Sequence, residues 1–270
     1  EIIVMYNSFH GRTMGALSAT GQTKYQKGFE PVLPGFKFVN YNNFEELDKA
    51  ITDLTVAIML EPLQAEGGII IPDKDYIKTV EKLCKEKNLL LILDEVQTGI
   101  CRTGKLFAYQ HFDIKPDIIT LAKALGGGLP IGAMLAKSNV ASAFEPGNHA
   151  STFGGGEFVT GVALASLNYL IEEKIYLHVA KMGEYFLSKL RELAFKHKTK
   201  VKDARGMGLL CGLELDDKIP LSDFSNLLLK RGLLTAAAGN NVVRFAPPLI
   251  IQESHIDKAI SILDNVLTTI

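Results

Sequence analysis

The sequence predicts an α/β protein built around a mostly parallel sheet, and three features support this fold class. Residues 89–93 and 117–121 are short, nearly continuous apolar runs, and such runs are typical of strands buried on both faces of a parallel sheet. A helical pattern over 73–87 separates the first of these runs from an earlier apolar run over 55–60. Strand and helix therefore alternate, which is the order that right-handed crossovers between parallel strands produce.

The other elements of the first half follow from apolar spacing and from glycine and proline breakers. Residues 73–87 have Asp73 as a plausible N-cap and an apolar stripe facing the core. Three glycines, 126–128, precede a further strand instead of opening a helix, which argues against a dinucleotide-binding loop. The elements predicted here are strands at 2–5 and 131–136, a helix at 44–53 and an irregular segment at 15–35.

The second half predicts a smaller α+β domain. From 157 to about 198 the apolar spacing is helical, and Ser254 with Asp257 resembles a capping box at the start of a last helix. Strands are predicted at 208–215 and 242–245, with a helix at 222–231 between them. The predicted domains are a large domain over 1–156, a connecting helix over 157–180 and a small domain over 181–270.

Composition excludes several classes of protein. The 270 residues are 47% hydrophobic and 22% charged with a net charge of −1, which argues against nucleic acid or a membrane surface as the main partner. Three widely spaced cysteines, Cys84, Cys101 and Cys211, predict reduced thiols of a cytoplasmic protein without a metal site. Because a strand begins almost at Glu1, we also expect further sequence to precede this chain.

Two charged residues lie directly after the two central apolar runs. Asp94 ends the first run, and Lys123 follows the second, 29 positions later (123 − 94). Ligands of open α/β sheets bind beyond the carboxyl ends of the strands. A lysine amine can attack a carbonyl carbon to form a Schiff base, and a carboxylate can keep a pyridine nitrogen protonated, which together are features of pyridoxal phosphate (PLP) enzymes. The alternative is that Asp94 caps a helix and Lys123 is a solvated charge.

The segments LDEVQTG, LAKALGGGLPIGA and YNSFHGRTMGALSATGQTKYQKGF surround these residues and resemble the class III PLP-dependent aminotransferases along essentially the whole chain. The resemblance implies the PLP-dependent transferase fold type I. It also implies PLP bound to Lys123, Asp94 at the pyridinium nitrogen, and Lys123 as general base and then general acid.

The resemblance implies roles for further residues. The cofactor-binding set is Phe9, Asp94, Glu95, Val96, Gln97, Lys123 and Thr152. The substrate-binding set is Arg12, Glu66, Ser151 and Arg244, with the two arginines binding carboxylates. His10 is expected to pack or hydrogen-bond instead of acting as a catalyst. The chain departs from the family at Gly156 and Glu157, where the family pattern has Asn and Pro.

Within the class, the opening segment indicates N2-acetyl-L-ornithine as amino donor and 2-oxoglutarate as acceptor, in arginine biosynthesis. The resemblance also implies a cytoplasmic homodimer with shared active sites. Three alternatives stay open: another ω-aminotransferase, acting on ornithine, succinylornithine or 4-aminobutyrate; another PLP reaction, such as a mutase or decarboxylase; and a PLP-free binding domain or inactive fragment.

Overall fold

The computed structural model describes all 270 residues and divides into two compact units. The first unit contains Glu1–Pro62, Pro72–Ile100 and Phe107–Glu173, and the second contains Leu63–Ile71, Cys101–Leu106 and Lys174–Ile270. The domain boundaries inferred from the sequence stay a prediction.

A six-stranded sheet forms the centre of the first unit. Its order is β2-β1-β3-β4-β5-β6, and every neighbouring pair is parallel except β5 with β6. This confirms the predicted mostly parallel sheet. The strands are β1 (Ile2–Met5), β2 (Phe36–Val39), β3 (Ala57–Leu60), β4 (Leu90–Asp94), β5 (Ile118–Leu121) and β6 (Ala133–Ala136).

Six helices accompany this sheet, and α4 provides much of the apolar packing on it through Ile77, Val80 and Leu83. These side chains are at most 4% exposed and belong to one core cluster with Leu91 and Leu93 of β4. The helices are α1 (Met14–Ala19), α2 (Thr23–Gln26), α3 (Phe44–Ala50), α4 (Tyr76–Lys87), α5 (Ser138–Ala141) and α6 (Glu157–Glu172).

Two local predictions in this unit were wrong. The segment predicted as irregular, 15–35, contains α1 and α2, which are too short for an apolar period to be visible in the sequence. The N-cap of α4 is Asp75 in the left-handed region (φ 71°), and not Asp73. The Asp73 carboxylate instead accepts a hydrogen bond from the Asn42 amide, whose oxygen accepts the Asp73 backbone N–H.

The second unit has a four-stranded antiparallel sheet in the order β7-β8-β10-β9. The predicted strand at 242–245 is confirmed as β10, whereas β7 and β9 were not predicted. β7 carries charged side chains on several positions and β9 consists of three alanines, so neither has an alternating apolar pattern. The strands are β7 (Val201–Met207), β8 (Leu210–Leu215), β9 (Ala236–Ala238) and β10 (Val242–Phe245).

Three helices complete the second unit: α7 (Ile175–Lys196), α8 (Leu221–Lys230) and α9 (Glu253–Thr269). α9 begins after Gln252, which forms a capping box with His255, so the predicted Ser254–Asp257 box is wrong. Asp257 accepts a hydrogen bond from the Tyr185 hydroxyl instead. The apolar stripe predicted within α7 is confirmed as buried at Val179, Met182, Phe186, Leu190 and Leu193. None of the helices has the length and apolar character needed to cross a bilayer.

Candidate active site

The carboxyl ends of β4 and β5 bring the predicted acid and amine to one edge of the first sheet. The two strands are adjacent and parallel, and Asp94 at the end of β4 is in register with Thr120 of β5. Lys123 follows three positions after Thr120 (123 − 120). This pairing confirms the predicted arrangement of the two strands.

Asp94 is a buried carboxylate with two protein partners. It is 5% exposed; its Oδ1 accepts the backbone N–H of Val96 at 3.0 Å, and its Oδ2 lies 2.7 Å from Nδ1 of His10. The His10 side chain is fully buried, and its Nε2 has no hydrogen-bond partner. His10 therefore hydrogen-bonds, as expected, but its partner is the proposed catalytic acid, which the sequence did not indicate.

Lys123 occupies an unusual backbone position. It begins a short 3-10 helix, Lys123–Gly126, with a left-handed φ of 47°, a region that costs energy for residues other than glycine. The residue is exposed. An exposed residue just beyond a strand end is a suitable position for covalent attachment of a cofactor.

The loop after β1 places an arginine beside two aromatic rings. The Phe9 ring lies 5.3 Å from the Tyr25 ring in an edge-on arrangement. The guanidinium carbon of Arg12 lies 4.5 Å from the centre of the Tyr25 ring and 5.4 Å from that of Phe9. Phe9 is half-buried and its backbone N–H donates to the buried carboxylate of Glu61 at 3.2 Å.

The carboxylate of Glu95, next to the proposed catalytic acid, accepts three hydrogen bonds from other groups of the chain. Its Oε2 accepts from the Thr98 hydroxyl at 2.5 Å and the Ala108 N–H at 3.1 Å, and its Oε1 accepts the Tyr109 N–H at 2.8 Å. Burial raises the pKa of Glu95, although the three hydrogen bonds oppose this shift. Glu95 therefore holds the segment after β4 in place, and its contact with the cofactor stays a prediction.

Val96 and Gln97 follow in the same turn and are both half-buried. Ser151 and Thr152 are exposed, and the Ser151 Oγ accepts the Gly154 N–H at 3.0 Å. This contact uses the hydroxyl to shape the loop that leads into α6, the part of the chain that departs from the family pattern.

The second unit contains the remaining two predicted substrate residues, which form an ion pair. Nη1 of Arg244 on β10 lies 2.7 Å from Oε1 of Glu66, and the two side chains are 13% and 21% exposed. The Glu66 carbonyl also accepts the N–H of Gly239. Arg205 on β7 donates to the carbonyls of Gly68 and Ile69 at 2.8–3.1 Å. The segment that carries Glu66 is thus attached to the second sheet on both sides.

Other reactive groups of the chain are poorly suited to chemistry. Burial raises the pKa of Cys84 and of Cys211 to about 12, so these thiols stay protonated at neutral pH and are weak nucleophiles. No group of three or more His, Cys, Asp or Glu side chains is arranged to hold a metal ion.

The family model of class III aminotransferases matches residues 1–267. The chain belongs to this family, whose members use PLP to transfer amino groups.

Relatives of known name support this membership. The chain is 52% identical over its whole length to an acetylornithine aminotransferase of Caldanaerobacter subterraneus, of which it covers 68%, and 50% identical to one of Methanocaldococcus jannaschii, of which it covers 67%. A solved ornithine aminotransferase of Toxoplasma gondii superimposes with a TM-score of 0.95 at 35% identity, over all of this chain and 65% of that one. An acetylornithine aminotransferase of Elizabethkingia anophelis gives 0.85 at 33% identity, over all of this chain and 66% of that one. The chain therefore spans about two thirds of the length of these relatives.

The residues of the first unit fit PLP. A pyridinium nitrogen needs a carboxylate that stays ionised beside it, and Asp94 is buried, oriented by a backbone N–H and adjacent to His10. The aldehyde needs a primary amine, which Lys123 carries just beyond the end of the neighbouring strand. The planar ring needs a flat apolar partner, and the half-buried Phe9 begins the same loop as His10.

Proposed function

We propose that this chain forms the catalytic part of an acetylornithine aminotransferase, which transfers the terminal amino group of N2-acetyl-L-ornithine to 2-oxoglutarate in arginine biosynthesis. The observation that carries the reaction type is the buried Asp94 on β4 beside the strand that leads to Lys123. The choice of donor rests on the relatives of that name, which are 42–52% identical across 98–100% of this chain.

PLP, when bound, supplies an aldehyde carbon that accepts the amino group and a ring that delocalises the electrons released at the substrate carbon. The Lys123 amine holds the cofactor at rest. The Lys123 Nζ would also remove a proton from the substrate carbon that bears the amino group, and would later return a proton as a general acid.

Asp94 stabilises positive charge at the cofactor ring nitrogen. Its carboxylate is fixed by the N–H of Val96 and by His10, so little reorganisation is needed when negative charge develops on the substrate. Phe9 and Val96 would pack on the ring of the cofactor, Gln97 would donate to its phenolic oxygen, and Thr152 would contact the phosphate of the cofactor bound to a neighbouring subunit.

Substrate carboxylates are bound by Arg12 and Arg244, with Ser151 as a further contact. Arginine suits this task because its planar guanidinium can donate two parallel hydrogen bonds to a carboxylate. Glu66 pairs with Arg244 at 2.7 Å, so the glutamate competes with any substrate carboxylate for this guanidinium.

We further propose that the protein is a homodimer in the cytoplasm. Several large apolar side chains of the first unit are exposed, which is typical of surfaces that another chain covers; they include Phe144 (58%), Phe153 (89%), Phe158 (75%) and Leu164 (60%). Light scattering on the intact protein tests this part, and a monomer at micromolar concentration would contradict it.

Kinetics with three amino donors test the activity. We expect kcat/KM for acetylornithine to exceed those for ornithine and for 4-aminobutyrate, with 2-oxoglutarate as acceptor. Spectroscopic conversion of bound PLP to the pyridoxamine form in a single turnover separates transamination from a mutase or decarboxylase reaction. A preference for 4-aminobutyrate would reject the proposed donor, and release of carbon dioxide without a keto product would reject the reaction type.

A further inference from the structure

Tyr25 on α2 is the aromatic residue nearest to the guanidinium of Arg12, and nothing in the proposed function accounts for it. The Arg12 guanidinium carbon lies 4.5 Å from the centre of the Tyr25 ring, closer than to Phe9. The Lys24 ammonium also lies over Tyr25, 4.9 Å from the ring centre. A single half-buried ring therefore attracts two cations at the rim of the loop that carries Arg12.

The two glutamines around Tyr25 attach its short helix to this loop and to α1. The Gln22 side-chain amide donates to the carbonyls of Asn7 and Ser8, and the Gln26 amide donates to the carbonyls of Leu17 and Thr20. These four hydrogen bonds explain how a helix of four residues is held in one place.

The backbone at Gly21 also lies close to the end of β1, which adds to this attachment. A Cβ atom there would lie 2.1 Å from the Met5 carbonyl oxygen, so only glycine fits beside the end of β1. Gly21 also accepts the N–H of Asn7 and donates its own N–H to the Ser8 hydroxyl. These contacts hold the segment that carries Tyr25 in place.

Stacking on an aromatic ring uses the face of a guanidinium and leaves the N–H donors at its edge available. Arg12 is exposed, and no oxygen of the chain accepts a hydrogen bond from it. Its guanidinium therefore contacts two rings without using a hydrogen-bond donor, so its donors remain available to a ligand. An arginine that was paired with a carboxylate of the chain would have to lose that partner before it could bind a substrate carboxylate.

We propose that Tyr25 is a positioning residue for Arg12, which selects amino donors that carry a carboxylate distant from the reacting amine. This inference rests on the proposed role of Arg12 as the donor-carboxylate ligand. Without the ring, Arg12 would have to be immobilised when the substrate binds, and that conformational entropy would weaken binding. The Lys24 ammonium adds positive potential at the same place and attracts the same anionic group.

The test compares two donors that differ only in the carboxylate: N2-acetyl-L-ornithine and N-acetylputrescine. In the PLP-loaded enzyme, Tyr25→Leu is expected to raise KM for acetylornithine roughly two- to fivefold, the size expected for an exposed cation–π contact, and to leave KM for N-acetylputrescine unchanged. Tyr25→Phe keeps the ring and is expected to restore the wild-type ratio of the two KM values. Phe29→Leu is the matched control, because Phe29 is an exposed aromatic close to α2 (57%) whose ring makes none of these contacts.

A second readout does not depend on turnover. N-acetyl-L-norvaline has the donor's carboxylate but no reacting amine, and calorimetry should show its Kd rising by the same factor in Tyr25→Leu. Arg12→Gln separates the two proposals. If Arg12→Gln leaves the preference for acetylornithine over N-acetylputrescine intact, the role of Arg12 fails. If Arg12→Gln abolishes the preference while Tyr25→Leu retains it, the positioning role of Tyr25 is overturned and that of Arg12 stands.

Discussion

Replacement of Asp94 by asparagine separates the chemical role of the carboxylate from its structural role. The side chain of asparagine has the same shape, and its oxygen can still accept the Val96 N–H that Oδ1 accepts at 3.0 Å. The new amide N–H can donate to Nδ1 of His10, which lies 2.7 Å from Oδ2, provided that the imidazole is neutral and carries its proton on Nε2. Because both hydrogen bonds can be kept, we expect the free energy of unfolding to change by less than about 1 kcal/mol.

The activity should change far more, because the amide cannot stabilise a protonated ring nitrogen as a carboxylate does. Removal of one oriented electrostatic group from an active site typically costs 10²–10³ in rate, or about 3–4 kcal/mol of transition-state free energy. We therefore expect Asp94→Asn to lower kcat with acetylornithine at least about 100-fold. Steady-state kinetics measure this change, and release of PLP in alkali shows whether the variant still contains the cofactor.

Asp117→Asn is the matched control. Asp117 immediately precedes β5, accepts the Leu91 N–H at 2.9 Å and pairs with Lys137 at 2.8 Å. Its charge lies at the opposite end of the neighbouring strand, so its loss should cost up to about 1 kcal/mol of stability and leave the turnover of the cofactor-loaded enzyme within about twofold. Turnover within tenfold of wild type for a PLP-loaded Asp94→Asn variant would refute the role of the Asp94 charge.

Three further changes test the supporting structure. Glu95→Ala leaves one buried and one partly buried backbone N–H donor without acceptors, so urea denaturation should show a loss of about 2–5 kcal/mol, and a loss below 1 kcal/mol would contradict the structural role. Arg205→Gln removes hydrogen bonds to two carbonyls of the segment that carries Glu66; we expect a loss of about 1.5–3 kcal/mol and faster hydrogen exchange in that segment. Hydrogen bonds from His197 and then Lys196 lower the pKa of Asp264, so its stabilising contribution is present above the ordinary pKa of aspartate and is lost as pH falls through the lowered value. Asp264→Asn should therefore cost less than about 1 kcal/mol at pH 7 and weaken the acid dependence of unfolding, and an unchanged acid dependence would disprove the assignment.

The sequence was sufficient to predict the central strands because their apolar runs are local signals. The runs before Asp94 and Lys123 correspond to β4 and β5, and their adjacency follows from the strand–helix–strand order. β7 could not be predicted in this way, since its residues include Lys202, Asp203 and Arg205, and its stability comes from pairing with β8. The strength of a strand signal thus depends on how much of the strand is buried on both faces.

The site residues also differ in how much the local sequence reveals about them. The positions of Asp94 and Lys123 in the sheet were predictable because Asp94 ends β4 and Lys123 follows two positions after β5. The role of Glu95 was not, since its acceptors serve backbone groups 13 and 14 positions later, Ala108 and Tyr109. The ion pair between Arg244 and Glu66 could not be predicted from the local sequence either, because the two residues are 178 positions apart.

The contact between His10 and Asp94 could not be predicted from the sequence, although it involves the proposed catalytic acid. The two residues are 84 positions apart, and each alone is compatible with a packing or capping role. Together they form a buried pair in which one partner keeps a ring nitrogen without a hydrogen bond. Burial of such a group without compensation costs free energy, so a fold that retains it must hold the imidazole by its packing. An acid whose partner is fixed by packing stays oriented whichever substrate is bound, and this is the property that both half-reactions of an aminotransferase require of Asp94.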